Sequence, residues 1–288
     1  MDNLKKLLRF SAPKGIGISI SKDYYLSVLS SKPVLPAPDE VLIPKPTSGQ
    51  IPGFLAPVIG SKDKSVLAQP MVRGQYVAAS LDQKTVLKLM VMQRDEAGFD
   101  PEPFLRSKVA ESFSEEVRLR VAATWGMVQI TFEAFDPAVH PALDFLLLVA
   151  RRIAERTEGV IADPICQRYL LPEQLIQRPR WTPAYDSREH IAIKIEPDGG
   201  YVYTLGLLKF HHPELEISGV SNPASAEQAL LSVCQQILAG NPIAAGDRVK
   251  VGDHMLSAGH TTRPSKWDGL PVLELLPPPG QNMASLFP

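Results

Sequence analysis

Residues 191–220 read IAIKIEPDGGYVYTLGLLKFHHPELEISGV, and this stretch decides the fold. Ile191, Ile193 and Ile195 recur at every second position, as in a half-buried strand. Pro197-Asp198-Gly199-Gly200 is turn chemistry, and Tyr201 to Leu207 is the returning strand. His212-Pro213 breaks that strand, and Leu215 to Val220 forms a third. Leu215 and Ile217 are expected to face the core and Glu216 to face water. Three strands in succession without a helical crossover imply an antiparallel sheet.

The pattern continues on both sides. Downstream, Asn222-Pro223 is a cap followed by proline, and Leu230, Val233, Cys234, Ile237 and Leu238 mark the buried stripe of a helix ending at Gly240. Gly246-Asp247 turns into a strand over Arg248 to Val251, and His254 to His260 is expected to be a loop. Upstream, Thr85 to Gln93 and Val121 to Glu133 have strand composition. Val128, Ile130 and Phe132 share one face of the second. Leu105, Val109, Phe113 and Val117 recur every four residues and predict a helix over 101–117. Asp136-Pro137 predicts a helix start, and Leu143, Leu146, Leu147, Ala150, Ile153 and Ala154 its apolar stripe. Gly159 ends this helix before a short strand over Val160 to Ala162. The fold class is α+β: two mixed, mainly antiparallel sheet-plus-helix units.

The chain has 288 residues, long enough for about two domains. We place an N-terminal domain at 1–175 and a C-terminal domain at 186–288. The 27 prolines cluster in three places. Residues 33–70 read as an extended surface arm, because proline lacks a backbone donor and fixes φ. The segment LPEQLIQRPRWTP falls at the domain boundary, and LPPPGQNMASLFP forms a proline-rich tail. A net charge of −1 gives no field favouring nucleic acid, and aromatic residues at 7% do not interleave with basic ones. No apolar run nears the ~18 residues that span a bilayer, and no secretion signal is legible. The expectation is a cytoplasmic protein with reduced thiols at Cys166 and Cys234, without nucleic-acid or membrane partners.

Candidate chemistry centres on the His211-His212 pair. Imidazole and carboxylate are proper zinc ligands. Adjacent histidines on an extended chain point in opposite directions, however, so they do not readily share one ion. No metal, cofactor or catalytic residue is assigned. The ligand- or partner-binding candidates are Thr204, Gly206, His211, His212 and Glu214, placed around a pocket at the strand ends. Gly206 is expected to sit in the strand, where a missing side chain admits a close neighbour. His254 and His260 flank the expected loop without a visible partner. No nucleophile elbow or phosphate loop occurs.

The block Tyr203-Thr204-Leu205-Gly206-Leu207, then Phe210, then Pro213-Glu214-Leu215-Glu216, resembles bacterial families of domains of unknown function. In those families Tyr-Thr-x-Gly-Leu precedes a short turn and Pro-Glu-Leu, and a helix and a Gly-Asp turn follow. The segment from Thr157 to Pro164, leading to Tyr169-Leu170-Leu171-Pro172, is similar to a domain end in related bacterial proteins. Many members carry glycine where this chain has His211 or His212, which argues against an obligatory metal ligand. Some relatives travel with toxin–immunity systems. The resemblance itself assigns no reaction; with a family-like core block, extended proline arms and no constellation that chemistry requires, the expectation is a non-enzymatic bacterial interaction protein, immunity-type or regulatory, of unknown protein partner. The alternative is a hydrolase or ligand-binding enzyme with a site around Thr204, His211, His212 and Glu214. Nothing in the sequence sets the oligomeric state.

Overall fold

The computed structural model describes residues 20–21, 23–42, 53–57, 64–80, 85–135, 140–175, 186–196, 200–263, 267 and 269–288. The chain divides into two compact units, one spanning Ser21–Pro183 and the other containing Ala184–Pro288. The fold is α+β, with two mainly antiparallel sheets. Asp136-Pro137, the turn residues 197–199 and the segment 176–185 lie outside the described residues.

In the first unit the elements run β1 (Tyr25–Ser30), α1 (Pro38–Leu42), β2 (Gly53–Pro57), β3 (Gly74–Ser80), β4 (Thr85–Gln93), α2 (Pro101–Leu105), α3 (Glu115–Ala122), β5 (Gly126–Phe135), α4 (His140–Thr157), β6 (Val160–Asp163) and β7 (Arg168–Leu170). The seven strands lie in the order β2-β3-β4-β5-β1-β6-β7. All neighbours are antiparallel. Thr85, Leu87, Leu89 and Val91 alternate inward along β4, and Val128, Ile130 and Phe132 do so on β5. Along α4, Leu143, Leu146, Ala150, Ile153 and Ala154 of the expected stripe are fully buried together with Val149 and pack on this sheet, whereas Leu147 is half-buried. Leu29 points away from the Val28 face by strand alternation. It joins Val117, Val121, Val160, Ala162 and Leu171 in a second cluster, edged by Phe104, Phe113 and Tyr169.

Three expectations for this unit are corrected. The single helix over 101–117 is broken into α2, a 3-10 turn over Lys108–Ser112, and α3. Ser107 and Ser114 both take extended backbone, and the Ser114 hydroxyl accepts from the Val117 amide at 3.3 Å, restarting the helix. A serine that caps also interrupts. The following strand starts at Gly126, because Val121 and Ala122 belong to α3. The proline-rich arm is not uniformly extended surface chain. It supplies α1, a 3-10 turn over Lys64–Ala68, and the ladder strand β2. β2 lies at the sheet edge, with Pro57 at its last position. A missing donor is tolerated there.

The second unit contains α5 (Ser187–His190), β8 (Ala192–Glu196), β9 (Tyr201–Leu205), β10 (Glu214–Ile217), α6 (Pro223–Leu238), β11 (Arg248–Val251), β12 (His254–His260), β13 (Val272–Leu276) and α7 (Met283–Leu286). Its six strands lie in the order β11-β12-β13-β10-β9-β8. β10 and β13 are parallel, and the other neighbours are antiparallel. Asn222 caps α6, its side chain accepting from the amides of Ala224 and Ser225, with Pro223 in the first turn. The buried stripe Ala226, Leu230, Val233, Cys234 and Ile237 packs on β8, β9 and β11.

The expected loop over His254–His260 is a strand. Gly252-Asp253 is a two-residue hairpin turn, with Gly252 at φ 58°, and it folds Val251 back against His254. Two-residue turns of this kind need positive φ, which glycine supplies. The proline-rich tail is docked. Met283, Leu286 and Phe287 are buried, and the Phe287 carbonyl accepts from the Asn222 amide at 2.9 Å.

Candidate functional site

β10 reads Glu-Leu-Glu-Ile and is buried at all four positions. Residues two apart on a strand share a face, so Glu214 and Glu216 point the same way. Glu274 of β13 stands opposite Glu216 in the parallel ladder and joins them. Three carboxylates thus line one face of the second unit, only 1%, 1% and 4% exposed. A buried ionised carboxylate is costly unless it is hydrogen-bonded or paired.

Each of the three is hydrogen-bonded. Glu214 accepts from the Thr204 hydroxyl at 2.6 Å, the Gly206 amide at 2.7 Å and the Leu208 amide at 3.2 Å. Glu216 accepts from the Tyr201 hydroxyl, the Thr261 hydroxyl and, at 2.8 Å, the Trp267 indole N–H. Glu274 accepts from the Ser218 hydroxyl at 2.6 Å and from the Thr262 hydroxyl and amide at 3.0 and 3.3 Å. All six carboxylate oxygens have a donor. The Arg263 guanidinium lies 4.7 Å over the Tyr201 ring, and Tyr203 meets Tyr201 at a tilt and Trp267 edge-to-face. Burial, then the Glu216 carboxylate, push the Tyr201 phenol up, so it stays a donor.

Of the five sequence candidates, the structure brings Thr204, Gly206 and Glu214 into direct contact. The Thr204 hydroxyl also accepts from the Leu215 amide at 2.8 Å, closing the end of the β9–β10 ladder. Gly206 is not in the strand. It follows β9, begins a 3-10 turn over Leu207–Phe210, and has φ 125° and ψ −10°. Its backbone takes a conformation that favours glycine, and its amide donates to Glu214. His211 is exposed in the left-handed region, at φ 57° and ψ 26°. His212 is half-buried, and burial followed by the neighbouring His211 push its imidazole down. Neither imidazole is hydrogen-bonded to Glu214 among the contacts of the described residues. No three His, Cys, Asp or Glu side chains among them converge to hold a metal ion.

Glu216 was expected to face water, and it does not. The expectation assumed one wet sheet face. β10 is instead a central strand, with neighbours on both edges and Thr261 and Trp267 over its second face. Glu274, Tyr201 and Trp267 were missed with it. The available signal was the two-residue spacing of Glu214 and Glu216, which commits both to one environment.

Other candidates are more ordinary. Cys166 and Cys234 are buried thiols, not joined in a disulfide. His260 is exposed on β12, and His254 stands edge-on to Phe287. The buried Lys209 ammonium donates to the His190 carbonyl at 2.8 Å. A shallow groove of about 550 Å³ beside α5 and α6 is lined by Asp186, Ser187, Arg188, Gln228, Leu231, Ser232 and Gln235. Ser187 there is tied to the Gln235 side chain and the Leu231 carbonyl.

Burial pushes the Glu214 carboxyl above the ordinary carboxylate range, against the pull of donors from Thr204, Gly206, Leu208 and Leu207. A carboxyl raised on folding leaves the folded state holding more protons. Its contribution to stability then falls as pH rises from the unfolded to the folded pKa, and is flat above. The stability of the wild type relative to Glu214→Gln is expected to decline from about pH 4.3 upward and then level off. Urea midpoints between pH 4 and 7 check this. A gap that widens in favour of the wild type as pH rises would show that the donors outweigh burial.

No helix among the described residues is long and apolar enough to cross a membrane. Comparison with family models, curated proteins and solved structures gave no match to the chain.

Proposed function

We propose that the chain is a non-enzymatic bacterial interaction protein of the cytoplasm, an immunity-type or regulatory binding module that recognises a protein partner. One observation carries this reading: every carboxylate oxygen in its most chemistry-like region already accepts from an internal donor. A general acid or base needs an open lone pair or proton within reach of a substrate. Glu214, Glu216 and Glu274 instead fasten turns to the sheet, which leaves recognition to the surface. Trp125 is 59% exposed on the first unit, and tryptophan is enriched among residues that dominate protein interfaces. The families that the Tyr203–Glu216 block resembles, some linked to toxin–immunity systems, point the same way.

The test separates binding from catalysis. Tagged protein, cross-linked in bacterial cells, is expected to retain one partner at near-equal amount. A variant with His211 and His212 both changed to alanine should retain it equally. Turnover of ester, phosphoester or glycoside probes by the wild type, lost in that double variant, would replace this reading with the hydrolase one.

A further inference from the structure

The sheet of the second unit carries α6 on one face. On the other face, alternate residues of β11, β12 and β13 form a shallow trough. β12 is its floor, with the small residues Ser257 and Gly259. β11 is one wall, where Arg248 and Lys250 are exposed while Val249 and Val251 are buried. β13 is the other wall, at Leu276. The register sets Arg248, Ser257 and Leu276 in one row, and Lys250 beside Met255 in the next. Leu276 reaches over Gly259, where a Cβ would come within 2.9 Å of its methyl group. Met255 is 45% exposed and Leu276 36%. Neighbouring strands lie ~4.8 Å apart, so the two walls stand about 10 Å apart, room for one extended chain.

Building on the protein-partner reading above, we propose that this trough binds an extended acidic segment of that partner. Carboxylates two residues apart on the segment meet Arg248 and Lys250, and the apolar residue between them meets Leu276. Charge complementarity identifies the occupant. Arg248 and Lys250 stand ~7 Å apart on one face of a strand, and alternate side chains of an extended ligand repeat at the same spacing. Among the described residues neither cation is in an ion pair or a side-chain hydrogen bond. The flanking acids are placed elsewhere. The Asp247 carboxylate accepts from the Ala244 amide at 2.8 Å, and Asp253 sits in the hairpin turn between Val251 and His254. Hydrogen bonds from guanidinium or ammonium to carboxylate are the strong class. Guarding a sheet edge accounts for a lysine on β11. It gives no reason for exposed Met255 and Leu276 on the two strands inside that edge. Methionine adapts its shape to varied apolar partners, which suits a recognition surface.

Fluorescence polarisation of the full chain with a short labelled peptide alternating glutamate and leucine tests the proposal. The wild type is expected to bind with a Kd of about 100 μM or tighter. A glutamate–serine alternation should bind about threefold more weakly or worse, and a lysine–leucine alternation should not bind. Changing Arg248→Glu and Lys250→Glu together should weaken the glutamate–leucine peptide at least about tenfold, and Met255→Ser about threefold. The charge reversal should leave the thermal midpoint in place, because exposed side chains without internal partners contribute little to stability. A wild type that ignores the peptide, or a charge-reversed variant that binds it equally, overturns the proposal. So does equal binding of inorganic polyphosphate or of phosphatidylglycerol vesicles, since any anion would then serve. In cells, undiminished retention of the cross-linked partner by the charge-reversed variant overturns this surface and leaves the partner reading standing. Turnover of the hydrolase probes would instead remove the partner reading itself.

Discussion

Glu216→Ala is expected to destabilise the second unit by about 3–5 kcal/mol, the range for breaking a buried charged hydrogen-bond network. The change removes the common acceptor of the Tyr201 hydroxyl, the Thr261 hydroxyl and the Trp267 indole N–H. Tyr201 is 1% exposed and Trp267 5%, so bulk water does not reach them in the intact fold. Each stranded donor costs on the order of 1–3 kcal/mol, and the void adds to that. Glu216→Gln should cost far less, about 1 kcal/mol. Its carbonyl can keep Tyr201 and Trp267, and the Thr261 hydroxyl can rotate to accept from the amide. Urea unfolding of both variants, followed by near-ultraviolet circular dichroism, gives the order. An alanine variant with a wild-type midpoint would show that this acid is solvated and that Thr261 and Trp267 do not close over it.

The contrast between Glu214 and Glu216 shows what a single sequence can reveal. β4 was legible to both ends, because β-branched and apolar residues fill it without a competing signal. The Asn222 cap and the α6 stripe were legible for the same reason: local preference and burial agree. Glu216 was not, because one-face alternation says which residues share a side but not whether the other side is covered. That depends on Thr261 and Trp267, over forty positions away. The helix over 101–117 failed differently. Its four-residue spacing is real, and Phe113 does meet Phe104 and Tyr169. Yet Ser107 and Ser114 divert the backbone between the apolar contacts. His254–His260 read as a loop because histidine, serine and glycine are weak strand formers, whereas the Gly252 hairpin and the β13 ladder decide its state. Of the site, the Thr204–Gly206–Glu214 corner was legible as a cluster, but its chemistry was not. Spacing alone does not distinguish a carboxylate open to a ligand from one already holding its own turn.

Gly206→Val should cost the fold about 3 kcal/mol or more, while His212→Ala should cost under about 1 kcal/mol. At φ 125° and ψ −10° the Gly206 backbone lies where a β-branched residue is strongly disfavoured. Relaxing that strain swings its amide away from Glu214, which is 1% exposed and depends on that donor. The two losses reinforce each other, because a buried carboxylate short of a donor is itself costly. His212 is only half-buried, and its removal leaves no such orphan. His211 should respond in the opposite direction. Its φ of 57° is strained for a side chain, so His211→Gly is expected to be neutral or to stabilise by about 0.5 kcal/mol. Thermal melts of the three variants, with and without a chelator, decide between the structural and metal readings. A metal site predicts the reverse order, with His212→Ala crippled, His211→Gly harmed and the wild type melting earlier in chelator. The backbone reading predicts that chelator changes nothing, that Gly206→Val fails first, and that His211→Gly survives at least as well as the parent chain.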